Sequence, residues 1–222
     1  TGKFLDPSLP DNEGKGSILG HLTAGAEHVI ASAPFKIKQS DFNAENTPTL
    51  IYGINHHCFD PQKHHVISAA SCTTTGLAHM IKPLLDDKET CNVLTASLST
   101  VHAATNTQNV LDGVPKEGAT DLRKNRSVLN NIILSTTGAA KTLEKVIPET
   151  QHFGFMADSI RIPTPTVSLI ALNITFNSRL NENGVPYISG DYIRNIYKKV
   201  AEGEQKSLVK LIGASHQEKL EI

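Results

Sequence analysis

Short apolar runs closed by turn residues dominate the first third of the sequence, and the last of them, HVISAA, passes straight into SCTTTGLAHMIK. Such runs are the pattern of buried sheet strands, while a longer stretch with apolar residues three and four apart is the pattern of a helix. Strands are therefore expected at His28–Ala33, Thr49–Ile54 and His65–Ala69, followed by a helix over Leu77–Asp87. Pro83 lacks the N–H that would bond backward, so it either kinks that helix or begins a new turn. Asn92–His102 alternates like a strand, and so does Val167–Phe176. GAAKTLEKVIPE has helical spacing, and Tyr192–Glu204 is amphipathic, with Ile193, Ile196, Tyr197 and Val200 on one side. Residues 108–131 are basic, turn-rich and longer than an ordinary connection, which marks them as a candidate functional loop. Short strands and helices followed by longer strands with helices read as α/β passing into α+β.

With 222 residues, 39% of them hydrophobic, the chain can bury a core as one large domain or two small ones. A net charge of -1 argues against a nucleic-acid surface, which needs clustered Lys and Arg. No apolar run approaches the roughly 18 residues of a membrane span and no signal-peptide pattern opens the chain, so a cytoplasmic location is expected. Three cysteines, Cys58, Cys72 and Cys91, make an odd count at unpatterned spacing, which fits reduced thiols better than a disulfide framework. His56, His57, Cys58, His64 and His65 fit no metal-ligand spacing, and adjacent histidines in a strand point to opposite faces; no metal is expected there.

Cys72 stands among hydroxyl residues at a strand-to-helix junction, an unusual setting for a structural thiol. A thiol attacks carbonyl carbon only as thiolate, of which an ordinary cysteine supplies a few per cent at neutral pH. A helix start contributes on the order of 0.3–1 kcal/mol to holding the negative charge, so an imidazole partner must supply the rest. Ten histidines are available, and spacing alone does not select one. His102 is the best local candidate because it ends the strand SLSTVH, with Thr, Asn and Gln residues beyond it. The hydroxyls of Ser71, Thr73 and Thr74 with helix-start amides suit an anion such as a phosphate. On the residues alone, a catalytic Cys72 stands against a helix-capping Ser71 with a merely buried neighbour.

SAASCTTTGLAH resembles the S-N-A-S-C-T-T-N signature of phosphorylating glyceraldehyde-3-phosphate dehydrogenases, and STVHAATNTQ resembles that family's T-T-V-H-x-x-T-x-x-Q. DLRKNRS, NNIILSTTGAAK and SIRIPTPTVSL continue the likeness in the family's order. The resemblance implies a nucleophile at Cys72 and a base at His102. It further implies phosphate and substrate contacts at Ser71, Thr73, Thr105, Thr137, Gly138 and Arg161, and cofactor contacts at Ser32 and Gly2, with NAD or NADP as the cofactor. Arg126 is a weaker anion-site candidate. The implied reaction is oxidation and phosphorylation of a phosphorylated aldehyde, glyceraldehyde 3-phosphate, with inorganic phosphate, in glycolysis or gluconeogenesis. The implied assembly is a homotetramer.

The implied fold is α/β: the C-terminal part of a Rossmann-type domain over residues 1–70, joined to an α+β catalytic domain over 71–222 with a mixed, largely antiparallel sheet. No G-x-G-x-x-G turn is found, GKGSILG having its third glycine one place late and no strand before it. The chain is therefore expected to be an internal piece of a dehydrogenase. Ala69, Gly76, Ala104 and Leu134 depart from the family pattern, which leaves cofactor preference and subunit contacts open. A non-catalytic module retaining the fold is the alternative, and a cysteine hydrolase a third.

Overall fold

The computed structural model describes residues 5–9, 16–39, 41–115, 117–214 and 217–221; Gly2 and Lys116 lie outside the described residues. After a helical turn α1 (Gly20–Thr23), strand β1 (Val29–Ala31) pairs in parallel with β2 (Val66–Ser68), Val29 opposite Val66 and Ala31 opposite Ser68. Ile18, Ala31 and Val66 form a small core beneath this pair, with Leu19, Leu22, Val29 and Phe35 against it.

The expected strand at Thr49–Ile54 does not form. Thr49 makes a single bridge to Ser68, after which the chain curls. Asn55 is the physical reason: its Oδ1 accepts the Ile51 amide at 2.7 Å and its Nδ2 donates to the Thr49 carbonyl at 3.0 Å, taking the groups that a ladder would use. Gly53 completes the turn at φ +81°, where a Cβ would lie 2.7 Å from Leu208 and 3.1 Å from His79. Gln205 secures the same turn, donating to the Gly53 carbonyl at 3.1 Å and accepting at 3.0 Å from Nδ1 of the buried His79.

Helix α2 (Cys72–Asp86) begins five residues before the expected start at Leu77. Ser71 caps it, accepting the Thr74 amide at 3.1 Å, and this cap offsets the modest helix preference of three consecutive threonines. The helix also runs on through Pro83. Only one backward bond is lost there, and Tyr197 donates its hydroxyl to the neighbouring Met80 carbonyl.

β3 (Val93–Ala103), β4 (Ile133–Ser135), α3 (Ala139–Val146), β5 (Gly154–Ile162) and β6 (Ser168–Phe176) complete the larger layer. The sheet order is β4-β5-β3-β6, with β3 parallel to β5 and antiparallel to β6, and β4 antiparallel to β5. The sheet is thus mixed and mostly antiparallel, as expected, although β4 and β5 carried no strand expectation. Alternate residues Leu98, Phe155, Ala157, Ile170, Leu172 and Ile174 face Leu77, Ala78 and Ile81 of α2 and Ala139, Leu143 and Val146 of α3. Leu77, Ile81, Leu98 and Leu143 are fully buried, and each such side chain contributes about 1.5–3 kcal/mol. Ile51 and Ile54, from the curled segment, join this larger core.

Helix α4 (Gly190–Glu202) and the hairpin β7 (Lys210–Ala214) with β8 (Gln217–Glu221) close the described chain. Among the described residues no helix is long and apolar enough to cross a membrane. α4 is tied to the end of α2 by Tyr192, whose hydroxyl donates to both carboxylate oxygens of Asp87 at 3.0 and 3.1 Å. Burial alone would raise the Asp87 carboxyl. The Glu89 amide, the Tyr192 hydroxyl and the Thr90 amide and hydroxyl outweigh it and hold the carboxyl below its ordinary value. Folding therefore favours the ionised form; the contribution is whole above the unfolded value near about pH 4 and is lost as pH falls through the lower folded value. Asp87→Asn is expected to lower the denaturant midpoint at about pH 7, with the gap to the native chain narrowing toward about pH 3; a gap independent of pH would contradict this account.

Candidate active site

The carboxyl ends of β1 and β2 lead to the site. The Ala69 amide donates to the Ala31 carbonyl at 2.8 Å, and the chain then turns through Ala70, at φ 59°, into the Ser71 cap and Cys72. Cys72 is the first residue of α2, is exposed, and lies near amides that a helix's first turn leaves without intrahelical acceptors. His102 comes from the far end of β3, so the central strand of the sheet delivers the imidazole to the helix start. The Cys72 Sγ to His102 Nε2 distance is 3.6 Å.

The other ring nitrogen settles the direction of that contact. His102 Nδ1 lies 2.7 Å from the Ala103 carbonyl, which can only accept, so Nδ1 carries hydrogen and Nε2 is the nitrogen turned to the thiol. Arg161 stands beside His102 in register on β5, and its Nη1 donates to the same Ala103 carbonyl at 3.3 Å. Its Nε is buried with no hydrogen-bond partner among the described residues. Burial lowers the Arg161 guanidinium from its ordinary value, and the charge of Cys72 opposes that shift. An unpaired donor on a half-buried cation beside a thiol calls for an anionic ligand.

The remaining expected residues are distributed around this group. Thr73 is the second residue of α2. The Ser71 hydroxyl is engaged in the cap, and it also bonds the Thr74 hydroxyl at 2.8 Å. Thr105 lies just beyond β3 in a turn of its own, its hydroxyl bonded to Gln108 and Thr107 at 2.9 Å each. Thr137 and Gly138 precede α3, with the Thr137 hydroxyl accepting the Ala139 amide at 3.2 Å. Ser32 follows β1 and is exposed. Cys72, His102 and Arg161 are thus brought together, while none of Thr105, Thr137, Gly138 and Ser32 is hydrogen-bonded to them among the described residues. Ala103 carried no sequence signal, since it acts through a backbone carbonyl.

The other candidates resolve into local structure. His56 and His64 accept backbone amides, from Gly53 at 3.1 Å and Asp60 at 2.9 Å. His28 and His65 stack at 5.4 Å, each with a ring nitrogen at 3.1 Å from a backbone carbonyl, of Pro61 and Glu27 respectively. Among the described residues no three His, Cys, Asp or Glu side chains are grouped as metal ligands. In the long loop Arg126 pairs with Asp112 at 3.3 Å and Arg123 with Asp121 at 2.7 Å, so its own carboxylates meet these charges.

A thiol on a helix start and an imidazole at a strand end, carried on a mixed sheet with helices against it, define an α/β protein of the thiol–imidazole class. The family described as "Glyceraldehyde 3-phosphate dehydrogenase, C-terminal domain" matches residues 71–214. The chain is 37% identical over 190 residues to glyceraldehyde-3-phosphate dehydrogenase of Geobacillus stearothermophilus, covering 85% of this chain and 49% of that protein. It is 36% identical over 189 residues to the cytosolic glyceraldehyde-3-phosphate dehydrogenase of Chlamydomonas reinhardtii, covering 85% and 48%. With glyceraldehyde-3-phosphate dehydrogenase 1 of Trichormus variabilis it shares 40% identity over 162 residues, 73% of this chain and 43% of the other. The chain belongs to the glyceraldehyde-3-phosphate dehydrogenase family. It spans about half the length of these curated relatives.

Proposed function

We propose that this chain carries the catalytic half of an enzyme that oxidises glyceraldehyde 3-phosphate and phosphorylates the product with inorganic phosphate. The observation that carries the reading is the Cys72–His102 contact at 3.6 Å with Nδ1 fixed on the Ala103 carbonyl. His102 Nε2 takes the thiol proton, and the sulfur bonds to the aldehyde carbon while the carbonyl oxygen becomes an oxyanion. The Cys72 amide at the helix start stabilises that oxyanion, and His102 returns the proton to it as a hydroxyl. NAD or NADP, when bound, would supply a hydride acceptor for this carbon. His102 removes the hydroxyl proton as the hydride leaves, so a thioester remains on Cys72. Phosphate oxygen then attacks the thioester carbon, the C–S bond breaks, and the thiolate is regenerated as the acyl phosphate departs.

Arg161, with its unpaired Nε, serves the substrate or inorganic phosphate, with Thr73, Thr105, Thr137 and Gly138 as further anion contacts. Ser71 does so only by giving up part of its cap. Residues 1–70 supply the end portion of a dinucleotide-binding domain. Ser32 fits a cofactor contact, because it is exposed at the carboxyl end of parallel strands, the side on which open α/β sheets bind ligands. Gly2 is proposed on resemblance alone. A homotetramer fits the outer face of the sheet, where Met156 is 75%, Leu169 60% and Leu134 56% exposed. A cytosolic location accompanies this reading.

The test is dinucleotide reduction with glyceraldehyde 3-phosphate and inorganic phosphate, using the polypeptide encoded by the full reading frame. Dependence of steady turnover on phosphate, with a Cys72 thioester trapped in its absence, is the expected result. A protein that binds dinucleotide and aldehyde yet forms no thioester would support the non-catalytic module instead.

A further inference from the structure

We infer that Val167 is a positioning residue for His102, an inference that rests on reading Cys72 and His102 as a thiol–imidazole pair. Ala70 and Val167 are the non-glycine residues with positive φ among the described residues, at 59° and 65°. For a β-branched residue this backbone is an outlier. Packing of the side chain does not account for it, since Val167 is 83% exposed.

The backbone of Val167 has a clear task. Its carbonyl accepts the Ala103 amide at 3.1 Å, and three residues earlier the Thr164 carbonyl accepts the Ala104 amide at 3.2 Å. The Thr164–Val167 corner therefore grips both peptide planes flanking Ala103, including the plane that bears the Ala103 carbonyl. That carbonyl receives His102 Nδ1 at 2.7 Å and Arg161 Nη1 at 3.3 Å. Val167 is followed at once by Ser168, which opens β6 and pairs with His102. With an ordinary negative φ the Val167 carbonyl turns away and the Ala103 amide is released, so the peptide joining His102 to Ala103 loses its anchor and only the Thr164 carbonyl still holds the plane that supports Nδ1. Nε2 then no longer faces Sγ by construction. The left-handed valine thus acts on the imidazole without touching it.

Two substitutions separate conformation from side chain. Glycine adopts positive φ freely, whereas proline is restricted to φ near -65°. The Val167 amide donates no hydrogen bond among the described residues, so proline removes none there. Histidine-labelled chain reports the His102 tautomer by nitrogen NMR, with the signal assigned by its loss in His102→Gln. Iodoacetamide labelling near about pH 6.5, read by peptide mass, compares Cys72 with the also exposed Cys91 as an internal reference.

In the native chain and Val167→Gly, Nδ1 is expected to carry hydrogen and Cys72 to react at least about tenfold faster than Cys91. In Val167→Pro, the Nε2–H tautomer is expected to appear and the rate ratio to fall about tenfold. An unchanged tautomer and ratio in Val167→Pro overturn the inference, and so does loss of the ratio in Val167→Gly. Should Val167→Pro not fold, the native tautomer decides: a neutral ring protonated at Nε2 overturns the inference. A native ratio near one instead sinks the thiolate reading itself, and the tautomer arms still judge Val167.

Discussion

Replacing Cys72 with serine is expected to lower phosphate-dependent aldehyde oxidation by more than about a thousandfold while leaving the fold intact. The sulfur is exposed and belongs to no core cluster, so its loss removes little packing. Serine keeps the helix start and the size of the side chain, but its hydroxyl does not ionise at working pH and forms no thioester. Melting temperature and circular dichroism are expected to match the native protein, with the trapped acyl adduct absent. Turnover within about tenfold of native would mean that the reacting atom lies elsewhere, and the 3.6 Å contact with His102 would need another purpose.

Leu98→Ala is expected to cost about 3 kcal/mol of stability, within the 2–5 kcal/mol range of buried leucine deletions. Leu98 sits in the middle of the central strand, opposite Ala157 on β5 and Leu172 on β6, and belongs to the core cluster shared with α2 and α3. Both flanking strands are hydrogen-bonded to β3, so they cannot close on the space left behind. Equilibrium denaturation measures the loss, with Ile30→Ala as the control because Ile30 is 67% exposed and is expected to change stability by less than about 0.5 kcal/mol. A Leu98→Ala cost under about 1 kcal/mol would show that this interface collapses more readily than its packing implies.

Much of the fold was legible in the pattern of apolar residues, and the errors have identifiable causes. The alternation in Asn92–His102 and Val167–Phe176 gave β3 and β6 to within a residue, because both strands turn one face toward the core. Thr49–Ile54 looks like a strand in composition, yet an asparagine one residue beyond its end takes over the backbone groups. β5 was missed although Phe153, Phe155 and Ala157 alternate. Gly154 among them and Asp158 directly after them weaken the local signal, and only pairing with β3 makes the strand. Apolar spacing alone starts α2 at Leu77, because threonines disfavour helix interiors; the start at Cys72 is legible only through the Ser71 hydroxyl, the helix cap weighed at this junction.

The site divides in the same way. The cysteine at the strand–helix junction and the histidine at a strand end were visible as residue types in a setting. Arg161 came from resemblance, and its place beside His102 is a matter of register, which the chain's order does not display. Ala103 and Val167 contribute through backbone carbonyls, and no side-chain pattern advertises them.

β3 has a partner along both of its edges, and its last residues hold the imidazole. The imidazole is consequently carried on a strand held along both edges, whereas the sulfur sits at the tip of a helix entered through a sharp bend. Of the two groups the imidazole has the less freedom to shift, so a change in their separation falls first on the helix tip.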